Sequence, residues 1–161
     1  IVEKATELGV EKIVPVMAAR SEKGLDRAAA KRADRWRKIA IESSQQSRRS
    51  RLPEVGNCVT FQDAVGTDGA WRFLLDEERD VPPLLRVLEN AGTPSSADVV
   101  CLLVGPEGGW TPEERETARA AGWSPVSLGP TVLRAETAVT AAVAVVGSFW
   151  HALKIRKPPA A

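Results

Sequence analysis

Apolar residues recur along this chain in two rhythms, one of about three to four residues and one of short uninterrupted runs. Ile1, Val2, Ala5 and Leu8 follow the helical rhythm at the start. Because the chain opens inside that run, it is expected to be a piece of a longer protein. Residues 12–16 (Lys12-Ile13-Val14-Pro15-Val16) read as a strand. Residues 26–47 predict a long helix, with Ala29, Ala33, Trp36 and Ala40 along one face. A second strand is predicted at 70–75 and a short helix at 82–89. Val99 to Val104 is an apolar run, as expected of a strand covered on both faces.

The sharpest local signal comes next. Thr111-Pro112-Glu113-Glu114 combines a capping threonine, proline at the first helical position and glutamate at the third. The helix it opens is expected to run to about Ala121, where Gly122 stops it. A last strand at 125–128 and a last helix at 136–152 complete the alternation, and residues 154–161 are expected to fray. Strands alternating with helices predict an α/β fold, a mostly parallel sheet with helices on both faces, in one domain. Ligands of such folds gather at the carboxyl ends of the strands. Three loops stand at that edge: 76–80, 105–110 and 129–135.

Composition narrows the class. The chain has 161 residues, 43% of them hydrophobic and 27% charged, enough for a core without disulfide or metal staples. No apolar stretch reaches the roughly 18 residues of a bilayer span, so 138–150 is expected to be a buried helix and no membrane partner is expected. The opening residues lack the layout of a signal peptide. Cys58 and Cys101 read as reduced cysteines in strands, in keeping with a cytoplasmic protein. With one histidine and no Cys-x-x-Cys, no metal is expected. Net charge is only +1, yet residues 17–51 hold eleven Lys or Arg against four Asp or Glu. That asymmetry points to one polyanion-facing surface.

Gly105-Pro106-Glu107-Gly108-Gly109 lies between a buried strand and a capped helix. Glycines there let a ligand approach the backbone, and the helix start adds free N–H groups. A tight turn without a ligand fits equally well, and neither standard phosphate-loop pattern matches. The second loop, 127–137, carries apolar Val132 and Leu133 where a surface loop is normally polar. Beside a glycine loop, it makes a slot for a flat heterocycle such as adenine. Arg134, Glu136 and Thr137 crowd the start of the last helix, where Glu136 or Thr137 can also serve as a cap. Trp110 fits either a stacking or a core role.

Leu103-Val104-Gly105-Pro106-Glu107-Gly108-Gly109, followed by Leu128-Gly129-Pro130-x-Val132-Leu133-Arg134-x-Glu136-Thr137-Ala138, resembles the RsmE family of 16S ribosomal RNA uridine-N3 methyltransferases. Lys4 to Val10, Arg20-Ser21-Glu22, and the pattern from Trp36 through Glu42 and Gln46 to Arg49 are similar to that family as well. The resemblance covers nearly the whole chain and is weakest between Cys58 and Ala97. It departs at the start, since family members carry an N-terminal β-barrel RNA-binding domain that these residues do not contain.

The resemblance implies a fold of the SPOUT class, with a C-terminal trefoil knot that binds S-adenosylmethionine. By the same resemblance the cofactor contacts are Leu75, Gly105, Glu107, Gly109, Leu128, Thr131, Leu133 and Ala135. Arg134 would stabilise the uridinate, and Glu107 or Glu136 would accept the N3 proton or hold Arg134. Arg20, Lys23, Arg48, Arg49 and Arg51 would meet 16S RNA phosphates, and Gln46, with Ser44 and Gln45, the flipped base or cofactor. Family members pair as homodimers through the knot, with the last helix in the interface. The rival readings are a SPOUT enzyme acting on transfer RNA or a ribose 2′-oxygen, a non-catalytic RNA-binding or dimerisation module, and a nucleotide-phosphate-binding domain.

Overall fold

The computed structural model describes residues 1–92, 95 and 97–156, the last three by backbone alone. In chain order the elements are α1 (Val2–Glu7), β1 (Lys12–Ile13), β2 (Val16–Met17), α2 (Leu25–Gln46), β3 (Glu54–Val55), β4 (Val59–Thr60) and α3 (Phe61–Val65). Then come β5 (Trp71–Leu75), α4 (Leu84–Asn90), β6 (Val100–Leu103), α5 (Pro112–Ala120), β7 (Ser124–Val126) and α6 (Ala135–Arg156). The frayed tail expected at 154–161 falls mostly outside the described residues.

Every strand pairing is parallel, but the sheet is in three pieces. β1 pairs with β3, β2 with β4, and β5 lies between β6 and β7. The single strand expected at 12–16 is broken around Val14-Pro15. Proline has no N–H to give to a ladder, though the Pro15 carbonyl still accepts from Val59 N at 3.0 Å. β3, β4 and α3 were not anticipated, because strands of two residues carry no readable alternation. Thr60 caps α3, its hydroxyl accepting from Asp63 N at 3.1 Å.

β5 organises the core by its two faces. Leu74 points into one apolar cluster with Phe61, Val65, Leu103, Trp110, Ala118 and Trp123, which brings in α3 and α5. Phe73 and Leu75 point into the other with Leu84, Leu88, Val126, Ala138 and Ala142, which brings in α4 and α6. Helices therefore cover both faces of this sheet, as expected. The capping box on α5 forms as read: Thr111 Oγ1 accepts from Glu114 N at 3.2 Å, and Glu114 Oε2 from Thr111 N at 2.9 Å. Gly122 ends that helix at φ +83°, a left-handed conformation suited to glycine.

The last helix differs from expectation. Between Ala135 and Leu153 only Ala138 and Ala142 are buried, and the helix holds a window of mean hydropathy 1.2. By length and composition alone, α6 is therefore long and apolar enough to cross a membrane. Ala138 and Ala142 face the core. Val145, Val146 and Phe149 pack half-buried against the same cluster, and the Trp150 ring meets that of Trp71 at 5.5 Å.

Candidate functional site

The sheet brings three loops to one edge. Beyond β5, Asp76 N donates to Val126 O at 2.9 Å, which ties the first loop to β7. Ser127 is then gripped by the chain entering α4: its N donates to Pro82 O, its Oγ to Val81 O, and its carbonyl accepts from Leu84 N. The glycine loop is fixed through Trp110, which is 2% exposed and donates from Nε1 to Leu75 O at 2.9 Å. Trp110 is thus a core residue, with its ring 5.3 Å from that of Phe61. A Cβ on Gly105 would come within 3.3 Å of the indole, so that glycine makes room for the tryptophan.

A buried ion pair locks the corner. The Asp76 side chain is fully buried, and Arg115 meets it with three hydrogen bonds of 2.9–3.1 Å. Arg115 Nη1 also donates to Trp110 O at 2.6 Å. The hydrogen bonds it donates to the Asp76 carboxylate, chiefly, hold the guanidinium above its ordinary pKa. One arginine from α5 thereby joins the first loop to the glycine loop.

Between the loops lies a cleft of about 110 Å³. All eight residues expected to contact the cofactor line it: Leu75, Gly105, Glu107, Gly109, Leu128, Thr131, Leu133 and Ala135. Its apolar wall is completed by Val104, Val126, Val132 and Ala138, and its acidic rim by Glu77 and Glu78, the latter paired with Arg115 at 3.4 Å and Arg119 at 3.6 Å. Gly109 sits at φ +67°, and a Cβ there would overlap the Glu77 carboxylate. Among the described residues, the backbone N–H groups of Leu128 and Leu133 have no protein partner. No lysine or arginine lines the cleft. Its volume is below the roughly 300–1,000 Å³ of small-molecule sites, so a nucleoside needs the rim to move. Glu77 and Val132, the latter 74% exposed, stand at that rim. A broader groove of about 790 Å³ between α3 and α5, lined by Gln62, Val65, Glu113 and Glu116 among others, has no glycine loop and no convergent backbone.

The remaining candidates divide. Arg134 immediately precedes α6 between two cleft residues, with its side chain exposed and no ion-pair partner among the described residues. Glu107 lines the cleft, whereas Glu136 is exposed on α6 and does not. Lys23, Gln46, Arg48 and Arg51 are exposed. Arg49 is engaged differently from expectation: it donates to Thr6 O at 2.8 Å, Val10 O at 2.9 Å and Gly9 O at 3.3 Å, closing the end of α1. Arg20 is tied to the glycine loop, donating to Gly108 O at 2.7 Å. Ser44 is buried and its hydroxyl has no partner among the described residues. Sequence reading missed Asp76 and Arg115, since neither belongs to a local motif and only folding brings them together. The two cysteines are free, Cys101 within β6 and Cys58 just before β4. Burial pushes both thiols up in pKa.

Residues 1–147 match the model of a family described as RNA methyltransferase domain. The chain belongs to that family. It is 34% identical over 152 residues to ribosomal RNA small subunit methyltransferase E of Synechocystis, an alignment covering 92% of this chain and 48% of that protein. The same-named protein of Aquifex aeolicus is 35% identical over 150 residues, covering 92% and 62%. Among solved structures, ribosomal RNA small subunit methyltransferase E from Neisseria gonorrhoeae, bound to S-adenosyl methionine, superposes with a TM-score of 0.80. It is 34% identical, with 92% of this chain and 59% of that one covered. The chain spans about half to three fifths of the length of these relatives.

Proposed function

We propose that this domain binds S-adenosylmethionine in the cleft and methylates N3 of a uridine in 16S ribosomal RNA in the cytoplasm. The carrying observation is the cleft itself: two glycine positions, apolar walls, unpartnered backbone N–H groups and an acidic rim with no basic residue. That chemistry suits a neutral heterocycle joined to a cationic sulfonium. It opposes a nucleotide phosphate, which needs donors and positive charge. The Neisseria protein, crystallised with the cofactor, supports the assignment.

When bound, the cofactor supplies an electrophilic methyl group. The protein must remove the weakly acidic N3 proton and hold the charge that spreads onto O2 and O4 of uracil. We assign the second task to Arg134, whose unpaired guanidinium stands beside the cleft. The proton goes to Glu107, which lines the cleft, in preference to Glu136, which does not. Lys23, Arg48 and Arg51 supply exposed positive charge for the phosphates.

Two further features belong to this reading. Ser127 is held on both sides by the stretch from Leu75 to Leu84, and this supports a chain threaded there as a trefoil knot. The long apolar helix α6, in which only Ala138 and Ala142 are buried by the chain itself, supports a homodimer in which a second copy covers it further. Light scattering is expected to give twice the monomer mass, and a monomer at high concentration would contradict the pairing.

The function is tested by calorimetric titration, followed by mass spectrometry of 16S RNA incubated with the full-length enzyme. Saturating cofactor at about a hundred times Kd should stabilise the fold by about 2.7 kcal/mol. N3-methyluridine should appear only when the cofactor is present. Absence of heat and of any Tm shift at millimolar cofactor would refute the proposal. A Tm rise with ATP alone would favour the nucleotide reading instead.

A further inference from the structure

We infer that Arg20 is a positioning residue for the glycine loop, setting cofactor affinity from outside the cleft rather than contacting RNA phosphate. The inference rests on the cofactor reading above. Arg20 Nη1 donates to Gly108 O at 2.7 Å and lies 3.5 Å from Trp110 O. The Trp110 carbonyl is also the acceptor of Arg115 Nη1, so two guanidinium groups from different parts of the chain converge on one peptide. Neither Arg20 nor Gly108 lines the cleft. Their effect on a ligand must therefore pass through the loop between Glu107 and Trp110.

Gly108 is explained by the same contact. Its backbone is not left-handed, yet a Cβ there would lie 3.0 Å from Arg20 Cβ and 3.3 Å from Cδ. The glycine leaves room for the arginine to lie along the loop. The segment that carries Arg20 is itself anchored. Ala19 N donates to Glu114 Oε1 at 2.7 Å, and the other oxygen of that buried carboxylate completes the capping box. Ala18 N donates to Ser21 Oγ at 3.0 Å. Glu113 is held below the usual carboxylate range by its own backbone amide and the Thr111 hydroxyl, with Arg20 adding attraction. A carboxylate close to the guanidinium offsets the field that a phosphate would meet.

The test uses S-adenosylhomocysteine, which binds without reacting, together with amide exchange. Arg20→Ala should raise Kd by about tenfold, which is 1.4 kcal/mol, and Arg20→Lys should recover part of it by keeping one donor. Lys31→Ala, exposed on α2 and outside the network, should leave Kd unchanged. Gly108→Ala should weaken binding similarly, and the double variant should be no worse than the weaker single one, since both act on one contact. The Gly109 amide, bonded to Pro106 O at 2.9 Å, should exchange about tenfold faster in Arg20→Ala.

An Arg20→Ala chain that binds within about twofold of wild type, while its RNA affinity falls and its salt slope drops by about one, would overturn the inference. Unchanged Gly109 exchange would overturn it too, whatever the ligand does. Failure of the wild-type chain to bind would refute the cofactor reading instead, with the exchange result still deciding the loop contact.

Discussion

Arg134→Ala is expected to slow methylation of 16S RNA by the full-length enzyme roughly 100- to 1,000-fold, the cost of losing one preorganised charge donor. Cofactor Kd should change by no more than about threefold, because the lost interaction acts on charge that develops in the transition state. The structure motivates this split. Leu133 and Ala135 line the cleft, whereas Arg134 between them is exposed and unpaired among the described residues. Single-turnover rates and calorimetry on the same preparations separate the two quantities. Parallel loss of rate and affinity would show that Arg134 shapes the loop and has no part in the chemistry.

Asp76→Ala should remove about 3–5 kcal/mol of stability, the cost of stranding one member of a buried ion pair. The Asp76 side chain is fully buried and that of Arg115 is 10% exposed; the partner that remains, Glu78 at 3.4 Å, is about half exposed and makes up little of the loss. Against a total of about 5–15 kcal/mol, the variant should unfold at much lower urea. Arg119→Ala provides the contrast. Arg119 meets Glu78 at 3.6 Å with both groups about half exposed, and such pairs are worth about 0–1 kcal/mol. Similar losses for both variants would refute the burial argument.

Much of this site was legible because local chemistry and long-range folding coincide there. The capping box, the two glycine-bearing loops and the apolar run of β6 are each spelled out within eleven residues. All eight positions expected to contact the cofactor lie on those loops or at the end of β5. What escaped detection depends on partners distant in sequence. The Asp76–Arg115 pair joins residues that no periodicity links, and β3 and β4 are too short to show an alternation. Arg49 and Arg20 are expected from the resemblance to meet phosphates, and their bonds to carbonyl groups of distant segments could not be read from sequence. The exposure of α6 was hidden for a different reason. An apolar helix looks the same in sequence whether its cover comes from its own chain or another.

The order in which the sheet closes has a consequence for synthesis. β7 is the last strand, and Val126 pairs with Leu75 roughly fifty residues earlier, a slow and entropically costly closure. The ribosome releases the glycine loop well before the Leu128 to Ala138 wall. A nascent or truncated chain that stops after α5 has no second wall and leaves Leu75, Leu84 and Leu88 without Val126 and Ala138. Such a chain is open to proteases and cannot be rescued by a ligand that recognises only the finished cleft. A ligand of the finished cleft would thereby favour survival of completed molecules over unfinished ones.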